Sequence, residues 1–373
     1  MPPEGGHASA RETPPRSLAF GPGRVNLIGE HTDYNKGLAL PFAIAEGITV
    51  SAVAAPAGSE DAGRIVACAR DLDEHDEFAL ARPEPTSGWR AFVRGVVAEL
   101  TRAGVPLVGA SLEISGGPPR GAGLSSSAAL EVALCLALID LGGDEGRDGE
   151  HAERLSRTDI ARLCARVEND WVGAHTGLLD QLASLYGAPD RAMLIDFRTL
   201  QIEPVPLLLG DWRLVVLDSG ERHLHASSGY NERRAECARA CELLGVDSLR
   251  EATRAQAEQL PEPLNRRALH VIEEDERVLE AVAALRGNDL RTLGRLLDAS
   301  HRSLRENYEI STAAVEATVE RLLSAGASGA RLVGGGFGGS VLGLFAPGIA
   351  HPRDAREVRP GPGAHLLSQA RDH

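Results

Sequence analysis

The sequence predicts a chain of the α+β class folded as two domains. Three observations carry that expectation. At 373 residues the chain is too long for one ordinary hydrophobic core. Its apolar residues switch between short runs broken by turns and runs at helical spacing. A proline-marked stretch near 195–210 separates many short apolar runs from a second part, 228–302, that is mostly helical and charged. The domains are therefore placed at 17–200 and 201–373.

The elements follow in order. Residues 1–16 are polar and rich in Pro and Gly, the composition of a disordered tail. From Leu18 to Ala54 short apolar runs alternate with turns, as in a set of strands. GWRAFVRGVVAELTRAG, 88–104, has helical spacing and a glycine stop. LEISG, 112–116, is a short strand, and SSSAALEVALCLALIDLGG, 125–143, is a helix with serines at its start and glycines at its end. HAERLSRTDIARLCARVENDWVG, 151–173, is one further helix. AMLIDF and WRLVVLDSG are strands on either side of Pro204 and Pro206. GARLVGGGFGGSVLGLF, 329–345, is a glycine turn between two strands, and one more strand is expected near 357.

Composition removes several function classes. The net charge of −14 argues against a nucleic-acid partner, because phosphate backbones are held by clustered Lys and Arg. Lys36 is the only lysine and is followed by Gly37 and Leu38, so a Gly-Lys-[Ser/Thr] phosphate loop is excluded. The five cysteines are scattered; Cys237 and Cys241, four apart, lack a second Cys/His pair and read as buried or idle thiols. No apolar run reaches the length of a membrane span and the start has no secretory h-region, so a cytoplasmic, reduced protein is expected.

Two glycine clusters differ in meaning. In GGPPRGAGLSSSAALEVAL, 116–134, Gly121 and Gly123 let backbone N–H groups turn toward one point ahead of a helix. The unpaired amides and dipole at that helix start favour an anion, and the serine hydroxyls can cap the helix, touch phosphate or ligate Mg²⁺. This reads as a phosphate site rather than a plain cap, which needs one serine and no Gly-Ala-Gly. Gly334, Gly336 and Gly339 satisfy the dinucleotide spacing G-x-G-x-x-G, but a strand-like SVLGLF follows where a helix should open. A tight turn with bare backbone against another element or a ligand fits better.

Carboxylates complete the list. Asp180 follows Gly177 and two leucines, where an acid is costly unless paired, and a nearby Arg would keep it ionised. A helix N-cap is the other reading. Glu168 lies near a helix end, where a solvated role is the ordinary one. In RVNLIGEHTDYN, 24–35, five strongly polar side chains interrupt an apolar run.

Taken together these segments resemble a family. GRVNLIGEHTDYNKGLALPFAI resembles the galactokinase signature of the GHMP kinases almost residue for residue. PPRGAGLSSSAALEVAL is similar to the family's ATP loop, TGLLDQ to its catalytic segment, and GARLVGGGFGGSVLGL to its C-terminal glycine motif. SSGYNERRAEC and SHRSLRENYEIS also look like galactokinase, and the likeness runs from about Leu18 to Leu344. Three places depart: no helix precedes the signature, 311–316 reads STAAVE, and the strands after the glycine motif are nearly joined directly. The last departure predicts a second domain without one covering helix, with apolar surface bare or covered by a partner.

The resemblance implies a ribosomal-protein-S5-like α/β first domain, a ferredoxin-like α+β second domain, and an active site between them. It implies ATP-dependent phosphorylation of the C1 hydroxyl of galactose by direct in-line transfer. Asp180 would face that hydroxyl, with Arg24 beside it. Glu30, His31 and Asp33 would hydrogen-bond sugar hydroxyls, joined by Gly177 and Tyr230. Gly121, Ala122, Gly123, Leu124, Ser125, Ser126 and Ser127 would wrap the triphosphate, and Ser127 with Glu168 would hold Mg²⁺. On this reading the polar residues interrupt the run because they form the wall that reads a ring of hydroxyls. The rivals are a kinase for N-acetylgalactosamine, arabinose or a uronic acid, and a sugar sensor without turnover. The oligomeric state is left open.

Overall fold

The computed structural model describes residues 14–117, 123–143, 155–174, 176–221 and 226–368. The chain opens with β1 (Arg16–Asn26), β2 (Leu38–Ala39), β3 (Pro41–Ala54), β4 (Arg64–Ala69) and β5 (Glu74–Ala79). Helix α1 (Trp89–Arg102) and β6 (Ala110–Gly116) follow, then α2 (Ser126–Gly142), α3 (Arg157–Arg166) and α4 (Leu179–Tyr186). Next come β7 (Arg191–Asp196), β8 (Gln201–Pro206) and β9 (Arg213–Asp218). The helical stretch is α5 (Ala226–Leu244), α6 (Arg254–Ala257), α7 (Leu264–Arg286), α8 (Leu290–Glu306) and α9 (Ala313–Ser324). Strands β10 (Gly329–Val333), β11 (Ser340–Phe345), β12 (Arg356–Val358) and β13 (His365–Leu366) complete it.

The strands form three sheets, in the orders β13-β1-β3-β6-β4-β5, β10-β11-β9-β12 and β2-β7-β8. β1 alternates between buried and exposed as far as Phe20 and is buried throughout beyond it. The change marks where the strand leaves a half-solvated sheet and enters the middle of the molecule. α2 lies against β1 and β3 and is apolar around nearly its whole circumference, as an internal helix must be. It approaches so closely that a Cβ on Gly21 would overlap the Ala129 carbonyl.

Three apolar clusters make the core. The first joins the six-stranded sheet to α1–α4, with Val50, Leu112 and Leu134 among its members. The third lies between one face of the four-stranded sheet and the helices α5, α7 and α9. The second connects the two parts of the chain: Val25, Leu27 and Ile28 pack with Val278, Leu293 and Leu342. The polar segment after β1 is thus anchored in a core drawn from both halves, which holds it stiffly.

Four details differ from expectation. The helix expected over 151–173 starts after Ser156, whose hydroxyl and the Asp159 carboxylate form a capping box. Residues 151–154 lie outside the described residues, and beyond Arg166 the helix widens into a π-helical turn, Val167–Val172. β8 runs through Pro204 and Pro206, which is tolerated because it is an edge strand. β13, a two-residue strand, pairs with β1 and brings the chain back to the first sheet. Among the described residues the bare apolar face expected on the second domain is not found on the four-stranded sheet. Leu214, Val216 and Leu342 are buried on one side of the four-stranded sheet, and Val215, Leu217 and Phe345 on the other. No described helix is long and apolar enough to cross a membrane.

Candidate active site

A β-bulge between Pro22 and Arg24 shifts the register of β1 against β3 and re-aims the strand's last side chains. Arg24 consequently faces the first turn of α4. Its Nε donates to Asp180 Oδ1 at 2.8 Å and its Nη2 to Asp180 Oδ2 at 2.8 Å. This two-pronged pairing fixes the planes of both groups, which a lysine could not do. The remaining Nη1 donates to the Gly123 carbonyl at 2.5 Å, and the Arg24 amide donates to the Leu124 carbonyl at 3.1 Å. One arginine therefore holds the acidic group and the glycine loop together.

Ser125 adds a second link. Its φ of 60° is left-handed, and its hydroxyl donates to Asp180 Oδ2 at 2.7 Å. It stands at the N-cap of α2 yet makes no side-chain cap. The first-turn amides of α2 consequently keep their donors facing outward, ready for an anion. Ser126 and Ser127 sit in that first turn. Leu124 contributes backbone only, since its side chain is buried in the second apolar cluster. Gly121 and Ala122 lie outside the described residues.

Opposite this loop stand the polar residues that follow β1. Glu30 is buried, and its Oε1 accepts from the Gly334 amide at 2.8 Å. Burial raises its pKa, against the pull of the Arg331 and Arg24 cations. His31 is held neutral: burial pushes its pKa down to about 3, helped by His270, Arg233 and Arg331. The Asp33 carboxylate is pushed up to about 6, first by burial and then by the nearby Asp180 and Glu30. It lies directly against Gly177, where any Cβ would overlap the carboxylate. Tyr230, on α5, stacks beside His31 with ring centroids 5.1 Å apart.

Glu168 occupies the π-helical turn, a distortion common at functional positions. Its carboxylate accepts from Thr176 Oγ1 and, at 3.1 Å, from Gln181 Nε2, and it is hydrogen-bonded to Ser127. Burial and the charge of Asp180 both raise its pKa. The Glu168 carboxylate and the Ser127 hydroxyl bonded to it are hard oxygen donors of the kind Mg²⁺ takes. The residues present fit that ion. Among the described residues no group of three or more His, Cys, Asp and Glu forms a metal cluster, Cys237 and Cys241 included.

All the described candidates line one cavity of about 400 Å³. A second, of about 420 Å³, shares Phe92, Ser126 and Ser127 with it and is otherwise lined mainly by apolar side chains, including Leu72, Trp89 and Ile114, with Asp71 among them. Sequence reasoning missed the supports. Arg331, fully buried on β10, donates from Nη1 to the Asn26 and Leu27 carbonyls at 2.9 Å each and sits 3.3 Å from Glu30. Glu131, inside α2, accepts from Gln181 Nε2 at 3.3 Å. A single arginine in a strand of apolar residues and a single glutamate in an apolar helix are the signals that could have exposed them.

The chain's kinship with known proteins bears on its family and fold. Residues 7–54 match the galactokinase galactose-binding signature. Residues 91–188 and 281–360 match the N-terminal and C-terminal domains of GHMP kinases. A galactokinase of Mycobacterium tuberculosis is 44% identical over 336 residues, covering 88% of this chain and 89% of that one. This chain belongs to the galactokinase family. A second galactokinase, from Thermotoga neapolitana, is 40% identical over 328 residues, with coverage of 88% and 89%. The structure of Lactococcus lactis galactokinase complexed with galactose superposes with a TM-score of 0.84, 31% identity and 97% coverage of both chains. Methanococcus jannaschii mevalonate kinase, 18% identical with a TM-score of 0.66 over 95% of this chain and all of that one, shares the fold. The two-domain GHMP kinase architecture is thus the fold of this galactokinase-family chain, with its cavity between the domains.

Proposed function

We propose that the protein transfers the γ-phosphoryl group of ATP to the C1 hydroxyl of galactose, giving galactose 1-phosphate and ADP. One observation carries the reading: Asp180 is tied at once to Arg24, through a bidentate pair, and to Ser125 of the phosphate loop, in a cavity that shares Ser126 and Ser127 with a second one. A sugar hydroxyl set against Asp180 would meet a phosphoryl group held by the loop.

The chemistry follows from position and charge. Phosphoryl transfer asks a protein for alignment and electrostatic stabilisation more than for covalent help. The Asp180 carboxylate accepts the hydrogen bond of the attacking hydroxyl and sets its lone pair toward phosphorus. Arg24 orients that carboxylate through its two hydrogen bonds and lies where charge develops on the transferred group. The outward amides of α2 and the hydroxyls of Ser126 and Ser127 receive the phosphate chain, and the apolar second cavity receives the base. Ser127 and Glu168 would hold Mg²⁺, which supplies positive charge to the phosphates when bound.

Glu30, His31, Asp33, Gly177 and Tyr230 form the sugar wall. Carboxylates accept from hydroxyls strongly, and an analogue lacking one leaves a buried acceptor unpaired. The division into domains at 17–200 and 201–373 belongs to the same reading, with the wall supported by the core shared between them. Mixing the protein with ATP, Mg²⁺ and galactose and following phosphorus and carbon NMR tests it. Galactose 1-phosphate is the expected product; a phosphate on another carbon, or none, overturns the proposal.

A further inference from the structure

His31 is bound into a closed circuit of hydrogen bonds that crosses between the two halves of the chain. Its Nδ1 lies 2.8 Å from the Tyr34 hydroxyl, which lies 2.9 Å from the Tyr308 hydroxyl. Tyr308 Oη lies 3.0 Å from Cys237 Sγ. Asn35 Nδ2 closes the ring, donating to Cys237 Sγ at 3.7 Å and to the His31 carbonyl at 2.8 Å. The other imidazole nitrogen, Nε2, faces the Gly335 carbonyl at 3.3 Å.

Most of these groups can donate or accept, so the ring alone has two senses. The Gly335 carbonyl selects one, because a carbonyl oxygen only accepts. It requires the proton on Nε2, which leaves Nδ1 as an acceptor. Tyr34 must then donate to Nδ1, Tyr308 to Tyr34, and the Cys237 thiol to Tyr308. Every donor in that sense meets an acceptor; in the opposite sense two lone pairs would face each other at Gly335. His31 also carries a left-handed φ of 61°, a conformation that persists only where surroundings enforce it. The rings of Tyr308 and Tyr230 hold it from two sides at 4.8 Å and 5.1 Å.

We infer that Tyr34 and Tyr308 are positioning residues that lock His31 as the Nε2–H tautomer, making it a hydrogen-bond donor to a sugar hydroxyl beside Glu30 and Asp33, whose carboxylates accept. The 3.3 Å contact to Gly335 is long for an N–H···O bond, so the same proton is available to an incoming hydroxyl oxygen. A sugar hydroxyl both donates and accepts, and a wall of carboxylates alone would satisfy only its proton. The inference rests on the sugar-kinase reading for its consequence, but the tautomer belongs to the free protein.

Two measurements test it together. Nitrogen-15 NMR of histidine-labelled free protein reads which nitrogen of His31 carries the proton, with Nε2–H expected in the wild type and a mixture in Tyr34→Phe. Calorimetric titration with galactose should show affinity about tenfold weaker in Tyr34→Phe, the scale of one positioned hydrogen bond, and a smaller loss in Tyr308→Phe. ATP affinity should stay within about twofold in both variants, which separates positioning from damage to the fold. A proton on Nδ1 in the wild type, or Tyr34→Phe binding galactose as the wild type does, overturns the inference. If ATP and galactose affinity fall together in both variants, it is also overturned. A wild-type protein that binds galactose with the Nε2–H tautomer yet forms no sugar phosphate overturns the phosphotransfer reading and leaves this inference standing.

Discussion

The two sides of the cavity are built from different parts of the polypeptide. On the side proposed to read the sugar, Glu30, His31 and Asp33 present side chains, each met by a distant segment: Gly334 for Glu30, Gly335 for His31, which Tyr34 also holds locally, and Gly177 against Asp33. On the side proposed to hold the phosphates, Gly123 to Ser127 present mainly backbone amides and hydroxyls at the start of α2. On this proposal the contrast follows from the ligands. A triphosphate is a set of near-equivalent anionic oxygens, which a helix start can receive without side-chain geometry. A hexose differs from its isomers only in where hydroxyls point, so its reader needs fixed, individually aimed groups. Arg24, Asp180 and Ser125 join the two sides.

If that division is right, the largest effect should come at the junction. Asp180→Asn removes the acceptor for the attacking hydroxyl and should lower kcat roughly 10³-fold or more, while ATP affinity changes little. Stopped-flow or coupled ADP-release kinetics with separate nucleotide titration would show it; near-normal kcat would break the junction.

Next in size is a pH effect confined to the sugar side. Asp33 titrates near 6 in the free protein, above its ordinary 3.8, chiefly because it is buried. Only the carboxylate accepts from two hydroxyls. Galactose affinity, measured without nucleotide, should therefore be flat above about pH 7 and weaken toward tenfold per unit below about 6. A flat profile down to pH 5 would remove Asp33 from the wall.

The smallest effect concerns the support behind the wall. Asp275 on α7 accepts from the Leu38 amide at 2.7 Å, just past the polar segment, and burial pushes its pKa up to about 7. A folded-state pKa raised above the unfolded one means the folded chain holds the proton more tightly. The resulting stability is complete below about pH 4 and is lost as pH rises through about 7. Asp275→Asn should abolish that part of the pH dependence. The difference in Tm between wild type and variant should therefore grow by a few degrees from pH 4.5 to 7.5, the variant gaining, as thermal scans would show.

Much of this was legible in sequence because local spacing expresses it. The glycine-serine loop, the helix after it and the polar interruption after β1 each announce themselves within a dozen residues. What joins them is not local. Arg24 and Asp180 are 156 positions apart, and Arg331 reaches Asn26 across 305. Ser125 read as one of three equivalent serines, whereas the left-handed turn sends its hydroxyl to Asp180 and leaves the helix uncapped. Glu131 and Tyr308 carry no neighbours that mark them as partners; their roles exist only once packing removes water around them. The sequence around Glu168 reads as plain helix, because the π-helical widening follows from tertiary packing and not from propensity.

The division between the two sides is tested most directly by titrating Asp33→Ala with galactose and with ATP in separate calorimetric runs. Losing a charged acceptor should weaken galactose binding roughly 10- to 100-fold and leave ATP binding within about twofold. Equal loss of both ligands, or galactose bound as tightly as before, would contradict it.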